Sequence, residues 1–201
     1  MTTNIATYLK FANLQLASEA LLDRVSDLNN AQLLADGLKF GNNHSSRFST
    51  ADAKDFSDNW TVVSHQANTS TGFSGTLFKY TGETDAAKGV TKGELVMSFR
   101  STEFLDDNAR DNKATNEMEV KAYGWAFGQI SDMEDWYAKL KADPAKLGNS
   151  SFNVTGYSLG GHLATTCASR WHAVAKCIKL SIRYRNNSCL RNIYKFYSPK
   201  T

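Results

Sequence analysis

The segment Gly156-Tyr157-Ser158-Leu159-Gly160 is the most informative part of this chain of 201 residues. A short apolar run precedes it, and an alanine-rich segment of helical character follows it. This order predicts a nucleophile elbow, a sharp strand-to-helix turn in which glycines let neighbouring backbone approach without a Cβ clash. We therefore expect Ser158 to present its hydroxyl for attack on a carbonyl. The backbone N–H of Leu159, at the positive end of the helix, is the expected oxyanion donor.

Outward from the elbow, strand-like and helix-like patterns alternate. Strand-like runs occupy residues 60–64, 72–80, 94–99 and 152–154, helical spacing occupies 7–38, 118–140 and 163–175, and a loop is expected at 37–49. Asp143-Pro144 ends the long central helix, because the residue before proline disfavours helical backbone. The order predicts an α/β fold with a mainly parallel sheet, in which the central helix crosses over between two parallel strands.

Length and composition predict a single domain over residues 1–201. With 41% hydrophobic and 11% aromatic residues, the chain can bury a sizeable core. We expect an N-terminal helical segment at 1–50, the core at 60–175 and a basic tail at 176–201. No apolar run approaches the roughly 20 residues of a membrane span, and the first residues lack a basic segment followed by an apolar signal core. The chain is predicted to be soluble, without a classical N-terminal export signal.

Charge is distributed unequally along the chain. All 20 acidic residues lie at or before Asp143, whereas 9 of the 23 Lys and Arg residues lie beyond it, and the net charge is +3. A basic tail can indicate contact with nucleic acid or anionic lipid. Here the charges follow no helical face and are interspersed with core-like Ile, Leu and Tyr. We therefore expect no nucleic-acid partner.

The three cysteines, Cys167, Cys177 and Cys189, lie near the C-terminal end. Their spacings fit neither a CxxC metal pair nor a redox dithiol. We expect buried free thiols, and the sequence predicts neither a metal site nor an organic cofactor.

A second motif, Phe99-Arg100-Ser101-Thr102, ends a hydrophobic strand well before the elbow. It resembles the Phe-Arg-Gly-Thr/Ser segment of class 3 lipases, the α/β-hydrolase family of triacylglycerol lipases and phospholipases A1, with a serine in place of the glycine. Residues 101–137 and 156–164 resemble bacterial secreted members of this family, so the resemblance spans about residues 60–170. It implies an α/β-hydrolase-like three-layer fold with a mainly parallel sheet.

The resemblance implies a function as well as a fold. Thr102 would supply the second oxyanion donor through its N–H and hydroxyl, beside Leu159, with Ser158 as nucleophile. The chain would be a carboxylic-ester hydrolase acting on acylglycerols or phospholipids, in transient contact with a lipid surface. Some bacterial relatives are exported by a C-terminal signal, which would allow secretion without an N-terminal one.

The family places an acid and then a histidine after its serine, and this chain departs from that pattern. Beyond Ser158 it has only His162 and His172, and no Asp or Glu follows Asp143. His162 lies one turn into the helix, where a histidine more commonly packs against or contacts neighbouring backbone. It is nevertheless a candidate base, because it follows the serine in the chain as the family's histidine does. A continuous helix would place His172 about 15–20 Å from the elbow, at 1.5 Å per residue.

Upstream groups offer a further alternative for the base. His44 and His65 precede the elbow, and Asp106, Asp107 and Asp111 follow the oxyanion segment. Triads occur in other chain orders on other folds, but an upstream base is unusual in this one. We therefore do not expect the base among them.

The basic tail leaves two interpretations open. Either its segment 193–199 corresponds to the family strand beyond the elbow helix, or the tail from about residue 177 is unrelated sequence, and a frameshift or premature stop would produce either result. In both cases the predicted fold is incomplete at its C-terminal end. The sequence accordingly predicts a serine ester hydrolase whose downstream acid and histidine are missing, or alternatively a non-catalytic truncated fragment or lipid-binding pseudoenzyme.

Overall fold

The computed structural model describes residues 5–42, 46–102 and 119–171, together with the backbone of 178–180. Three helices come first, α1 (Ile5–Glu19), α2 (Ala31–Phe40) and α3 (Thr50–Asn59), with a 3-10 turn at Leu22–Arg24. Strands β1 (Trp60–Gln66), β2 (Gly75–Tyr80) and β3 (Leu95–Phe99) follow. The remaining described elements are α4 (Lys121–Tyr123), α5 (Phe127–Ala142), β4 (Asn153–Tyr157), α6 (Leu159–Trp171) and β5 (Ile178–Leu180).

The strands form one mixed sheet in the order β1-β2-β3-β4-β5. β1, β2 and β3 pair antiparallel, whereas β3, β4 and β5 pair parallel. The α/β class is thus confirmed, but the described strands do not form a mainly parallel sheet. The first three strands are joined by short connections, residues 67–74 and 81–94, which contain turns and a small β-bridge. Short connections favour antiparallel pairing, because a parallel connection normally needs a longer crossover. Helix α5 lies on the connection between parallel β3 and β4, as predicted for the central helix.

Helices cover both faces of this sheet. Successive strand residues point to opposite faces. Phe78 and Val96 pack with α1, α2 and α3, while Leu77, Met97 and Val154 pack with α5 and α6. The described residues therefore form three layers, with a separate hydrophobic cluster on each face of the sheet.

Two of the first three helices begin at side-chain caps. The Asn30 side chain accepts hydrogen bonds from the N–H groups of Gln32 and Leu33, which begins α2. Ser49 accepts from the N–H of Asp52 and begins α3. These side chains satisfy N–H groups that have no partner within the helix. The periodicity of residues 7–38 thus corresponds to α1 and α2, and the predicted loop is shorter than 37–49 because α2 continues to Phe40.

The helix predicted over 118–140 is interrupted rather than continuous. α4 ends at Gly124, whose φ of 81° is left-handed, and α5 begins at Phe127. A left-handed glycine commonly ends a helix because it has no Cβ to clash. The apolar spacing runs through the break and hides it in the sequence. α5 ends at Ala142, directly before the predicted stop at Asp143-Pro144.

Two phenylalanines provide a matched test of the core on the helical face that contains α1–α3. Phe78 is fully buried, with its ring 5.6 Å from that of Phe56, whereas Phe40 is half exposed. We expect Phe78→Ala to lower the free energy of unfolding by about 3–5 kcal/mol, because the lost apolar contacts leave a cavity. Phe40→Ala should lower it by about 1 kcal/mol or less. Urea denaturation measures both, and equal losses would contradict this packing.

Candidate active site

Ser158 lies in the turn between β4 and α6. Its φ is 51°, and it is the one non-glycine residue with positive φ in the described part of the chain. Left-handed backbone costs a non-glycine residue roughly 1–3 kcal/mol and persists only where the surrounding structure enforces it. The side chain is exposed, while Gly156 and Leu159 on either side are buried. Ser158 thus has the geometry of a strained elbow, and its role as nucleophile stays a prediction.

Close backbone contacts enforce this turn. A Cβ added at Gly156 would lie 2.1 Å from the Gly160 carbonyl oxygen. A Cβ added at Gly160 would lie 2.2 Å from the Phe99 carbonyl oxygen and 2.8 Å from that of Arg100. Real Cβ atoms do not approach backbone so closely. The two glycines therefore allow the turn to close on itself and allow the end of β3 to pack against the first turn of α6.

Parallel pairing brings the oxyanion segment to the same edge of the sheet as the elbow. Phe99 of β3 lies opposite Gly156 of β4. Ser158 follows this pair by two residues, and Thr102 follows it by three, at the carboxyl ends of neighbouring strands. Ligands of open α/β sheets bind outside the carboxyl ends of the strands. The structure therefore places Ser158, Thr102 and Leu159 at one edge.

His162 contacts the start of α5. Its backbone N–H donates to the Ser158 carbonyl oxygen (3.2 Å) within α6, and its Nε2 accepts from the N–H of Ala126 (3.4 Å). The ring also lies edge-on to Trp125, with 5.8 Å between ring centroids. An Nε2 that accepts a hydrogen bond carries no proton. Among the described residues, no hydrogen bond joins the Ser158 hydroxyl to a histidine, and the role of His162 as base stays a prediction.

His65 lies far from the elbow. It belongs to β1, and β2 and β3 separate it from β4, which at about 4.8 Å per strand places it about 14 Å away. Its Nδ1 is 2.9 Å from Thr76 Oγ1, and its buried Nε2 has no partner among the described residues. Burial and the nearby charge of Arg100 lower the pKa of His65 to about 4, against a smaller opposing effect of Asp23. The ring is thus neutral at pH 7, and its distance from Ser158 prevents it from acting as the base.

The remaining candidates for the base and acid, and the other two cysteines, fall outside the described residues. They are His44, His172, Asp106, Asp107, Asp111, Cys177 and Cys189. The third cysteine, Cys167, is buried on α6. No group of His, Cys, Asp and Glu within the described ranges could hold a metal ion. No helix in those ranges is long and apolar enough to cross a membrane.

The C-terminal end of α1 holds the segment that follows β3. Arg100 Nε donates to the Ser18 carbonyl oxygen (3.2 Å), and its Nη2 donates to that of Ala20 (2.8 Å). The last carbonyls of a helix have no partner within it, and a cation there complements the helix dipole. Ser101 donates through its N–H to Glu19 Oε1 and through its hydroxyl to Oε2, both at 2.9 Å. Residues 100 and 101 are therefore fixed by side chain and backbone.

Glu19 is a functional candidate that sequence patterns do not reveal. Burial raises the pKa of its carboxyl group, while the hydrogen bonds from Ser101 and the charge of Arg100 oppose that rise. Gln15 donates to Glu19 and, at 3.2 Å, to the Phe99 carbonyl oxygen. The sequence contains one signal that could have identified Glu19: Gln15 and Glu19 lie four residues apart, on one helix face and among apolar residues. Ser101 has no positive φ, so its backbone does not require a glycine.

Two of the cavities lie away from the elbow. One of about 230 Å³ lies between α1 and α3, beside Lys10 and Trp60. Another of about 660 Å³ is lined in part by Glu94 and Asn153, at the amino ends of β3 and β4. Ser158 lies at the carboxyl end of β4, so the larger cavity is at the opposite edge of the sheet from the proposed chemistry.

No family model and no curated protein matches this chain. Function must therefore be inferred from the geometry of its own residues.

Gly160 provides a test of the close contact between β3 and α6. Alanine normally favours a helix over glycine by about 1 kcal/mol. We expect Gly160→Ala to lower the free energy of unfolding by about 3 kcal/mol, because its Cβ would overlap the Phe99 carbonyl. Gly93→Ala is the control, since its φ of 84° is left-handed but no atom lies within 4 Å of the added Cβ. Strain alone should cost the control about 1–2 kcal/mol. A stabilised Gly160→Ala in thermal unfolding would contradict the contact.

His65 should make stability depend on pH. Because its folded pKa of about 4 lies below the ordinary 6.5, the unfolded chain binds this proton first as pH falls. The contribution of neutral His65 to the free energy of unfolding is therefore fully present above pH 6.5 and is lost as the pH falls from 6.5 to about 4. Relative to His65→Asn, which can keep the bond to Thr76, the parent chain should lose about 2–3 kcal/mol between pH 7.5 and 4.5. Parallel curves for the two chains in denaturant titrations would contradict this.

Proposed function

We propose that the chain is a serine-dependent carboxylic-ester hydrolase of the class 3 lipase type, with an α/β-hydrolase-like fold, acting on acylglycerols or phospholipids. One observation carries the proposal: Ser158, exposed and held at a φ of 51°, follows a strand, opens a helix and shares a sheet edge with Thr102. A strained turn of this kind presents a serine hydroxyl above the sheet. Close backbone contacts enforce the turn, and the side chain that the turn presents is exposed.

In the proposed reaction, Ser158 Oγ attacks the ester carbonyl carbon and forms a tetrahedral intermediate. The negative charge that develops on the carbonyl oxygen accepts hydrogen bonds from the N–H groups of Leu159 and Thr102, and from the Thr102 hydroxyl. Fixed donors of this kind act where charge develops, and loss of one typically lowers turnover by about 10²–10³. The collapse of the intermediate breaks the ester C–O bond and releases the alcohol, which takes the proton that the base removed from Ser158; water then hydrolyses the acyl-serine, releasing the carboxylic acid and restoring the serine.

This reaction requires a base that takes the Ser158 proton. Of the described histidines, His162 is one turn from the serine and would have to release the Ala126 N–H to act. His65 is three strands away and is excluded by distance. His162 is therefore the described residue to test first as base.

An apolar surface beside the elbow helix supports a lipid-like substrate. Tyr123, Trp125 and Phe127 are 71%, 49% and 55% exposed. The contact between Trp125 and His162 places this surface next to the first turns of α6. Clustered exposed aromatic side chains commonly indicate a binding surface, whereas single exposed apolar residues are ordinary. An acyl chain or a lipid surface is a chemically suitable partner for them.

A second candidate function is favoured by one observation. Because no described histidine is hydrogen-bonded to the Ser158 hydroxyl, the chain can alternatively be a lipid-binding pseudoenzyme or non-catalytic fragment that keeps the elbow for packing. In that case the oxyanion hole and the apolar surface would still bind a lipid, and turnover would stay within about 10³–10⁴ of the uncatalysed rate.

A fluorophosphonate probe separates the two functions. We expect the chain to be labelled, and to hydrolyse short and long acyl esters, because an activated Ser158 attacks phosphorus as it attacks a carbonyl. Ser158→Ala should abolish both. Ser169→Ala, which removes another exposed serine hydroxyl from α6, should change neither by more than about twofold. A folded chain that binds lipid vesicles but takes up no probe would support the pseudoenzyme instead.

A further inference from the structure

The contacts between α1 and residues 100–101 restrict the conformation of Ser101. Both carboxylate oxygens of Glu19 are bound by the same residue, one by the Ser101 N–H and the other by its hydroxyl. A bond to the N–H fixes the peptide plane that precedes Ser101, and a bond to the hydroxyl fixes the side-chain rotamer. Ser101 therefore has little freedom to rotate, and the next peptide plane, which holds the Thr102 N–H, starts from a fixed position.

The surrounding groups keep this carboxylate in place. Arg100 spans the Ser18 and Ala20 carbonyls on either side of Glu19 in the chain, and so brings a positive charge near a buried negative one. Gln15 donates to the same carboxylate and to the end of β3. A buried carboxylate is costly unless it is paired and hydrogen-bonded; here Ser101 and Gln15 supply hydrogen bonds and Arg100 a nearby charge, which oppose the effect of burial.

Stability alone is a weak reason for such an arrangement. Replacement of buried ionic groups by well-packed apolar ones is often neutral or stabilising in proteins. A carboxylate that binds two groups of one loop residue instead specifies one conformation of that loop. The loop in question leads directly into the proposed oxyanion donor Thr102.

We propose that Glu19 is a positioning residue, which clamps Ser101 and thereby holds the Thr102 N–H in place to receive the oxyanion. This inference rests on the proposed function and deepens it. Glu19 does not touch the substrate; it acts through Ser101. Loss of the clamp weakens interactions that form only as charge develops on the substrate, so kcat falls while KM stays nearly unchanged.

The test compares three variants of the full chain. Glu19→Met keeps the volume of the side chain but has no acceptor for Ser101. Glu19→Gln keeps an acceptor for the N–H and can donate to the hydroxyl. Ser18→Ala is the control, because Ser18 Oγ bonds Gln15 and Ser98 in the same buried layer without touching residue 101 through its side chain.

With a water-soluble short ester, below the melting temperature of every variant, we expect Glu19→Met to lower kcat by about 10- to 100-fold, less than the loss of an oxyanion donor. KM should change by less than about threefold. Glu19→Gln should retain most of the parent kcat, and Ser18→Ala should retain all of it despite lower stability. Amide exchange followed by NMR should show faster exchange at Ser101 and Thr102 in Glu19→Met alone.

Each outcome decides between the proposals. Parent-like kcat and parent-like exchange at Ser101 in a folded Glu19→Met would overturn the clamp, as would an equal loss of kcat in Ser18→Ala. If Glu19→Met does not fold, Ser101→Ala removes only the hydroxyl bond, and an unchanged kcat there overturns it. A parent chain without Ser158-dependent turnover, but with exchange at Ser101 that depends on Glu19, overturns the hydrolase and the catalytic role of the clamp together.

Discussion

The structure depends most on one close approach of backbone, where the end of β3 meets the first turn of α6. The Phe99 carbonyl oxygen occupies the space that a Cβ of residue 160 would need, so this contact exists only because residue 160 is glycine. The same contact sets where β3 ends relative to β4, and hence which residues share the carboxyl edge of the sheet. The left-handed backbone of Ser158 follows from it, since the chain must turn sharply to start α6 so near to β3.

A polar layer on the other face of the sheet supports this edge. Ser98, near the carboxyl end of β3, bonds Gln15 and Ser18 of α1, and Arg100 caps the same helix two residues later. These groups are buried, so each must find a partner within the protein. Because the partners are specific, these bonds favour the register of α1 on the sheet that carries Glu19 to Ser101. Apolar packing between α1 and the sheet would not by itself select this register.

The parts of the fold that the sequence predicts are those set by short-range constraints. Gly156 and Gly160 predict the turn, since the crowding they relieve arises within a few residues and at the adjoining strand. The strand-like runs before residue 100 are recovered as β1, β2 and β3. Their antiparallel pairing was not predicted, because it depends on which strands meet across short connections. The clamp of Ser101 by Glu19 joins residues 82 apart, and no local pattern carries that information.

The sequence of α6 also explains why the elbow suits a developing negative charge. The first turn of α6 contains no acidic side chain and includes Gly160 and Gly161, so neither a carboxylate nor a bulky group screens its N–H groups. The partial positive charge of a helix start is strongest in this first turn and falls off beyond it. Ser158 precedes this turn directly, so an oxygen that gains charge during attack by Ser158 would lie at the most favourable end of the helix. Gly160 therefore permits the close approach of β3, and the absence of an acidic side chain leaves the positive end of the helix dipole unopposed by a carboxylate.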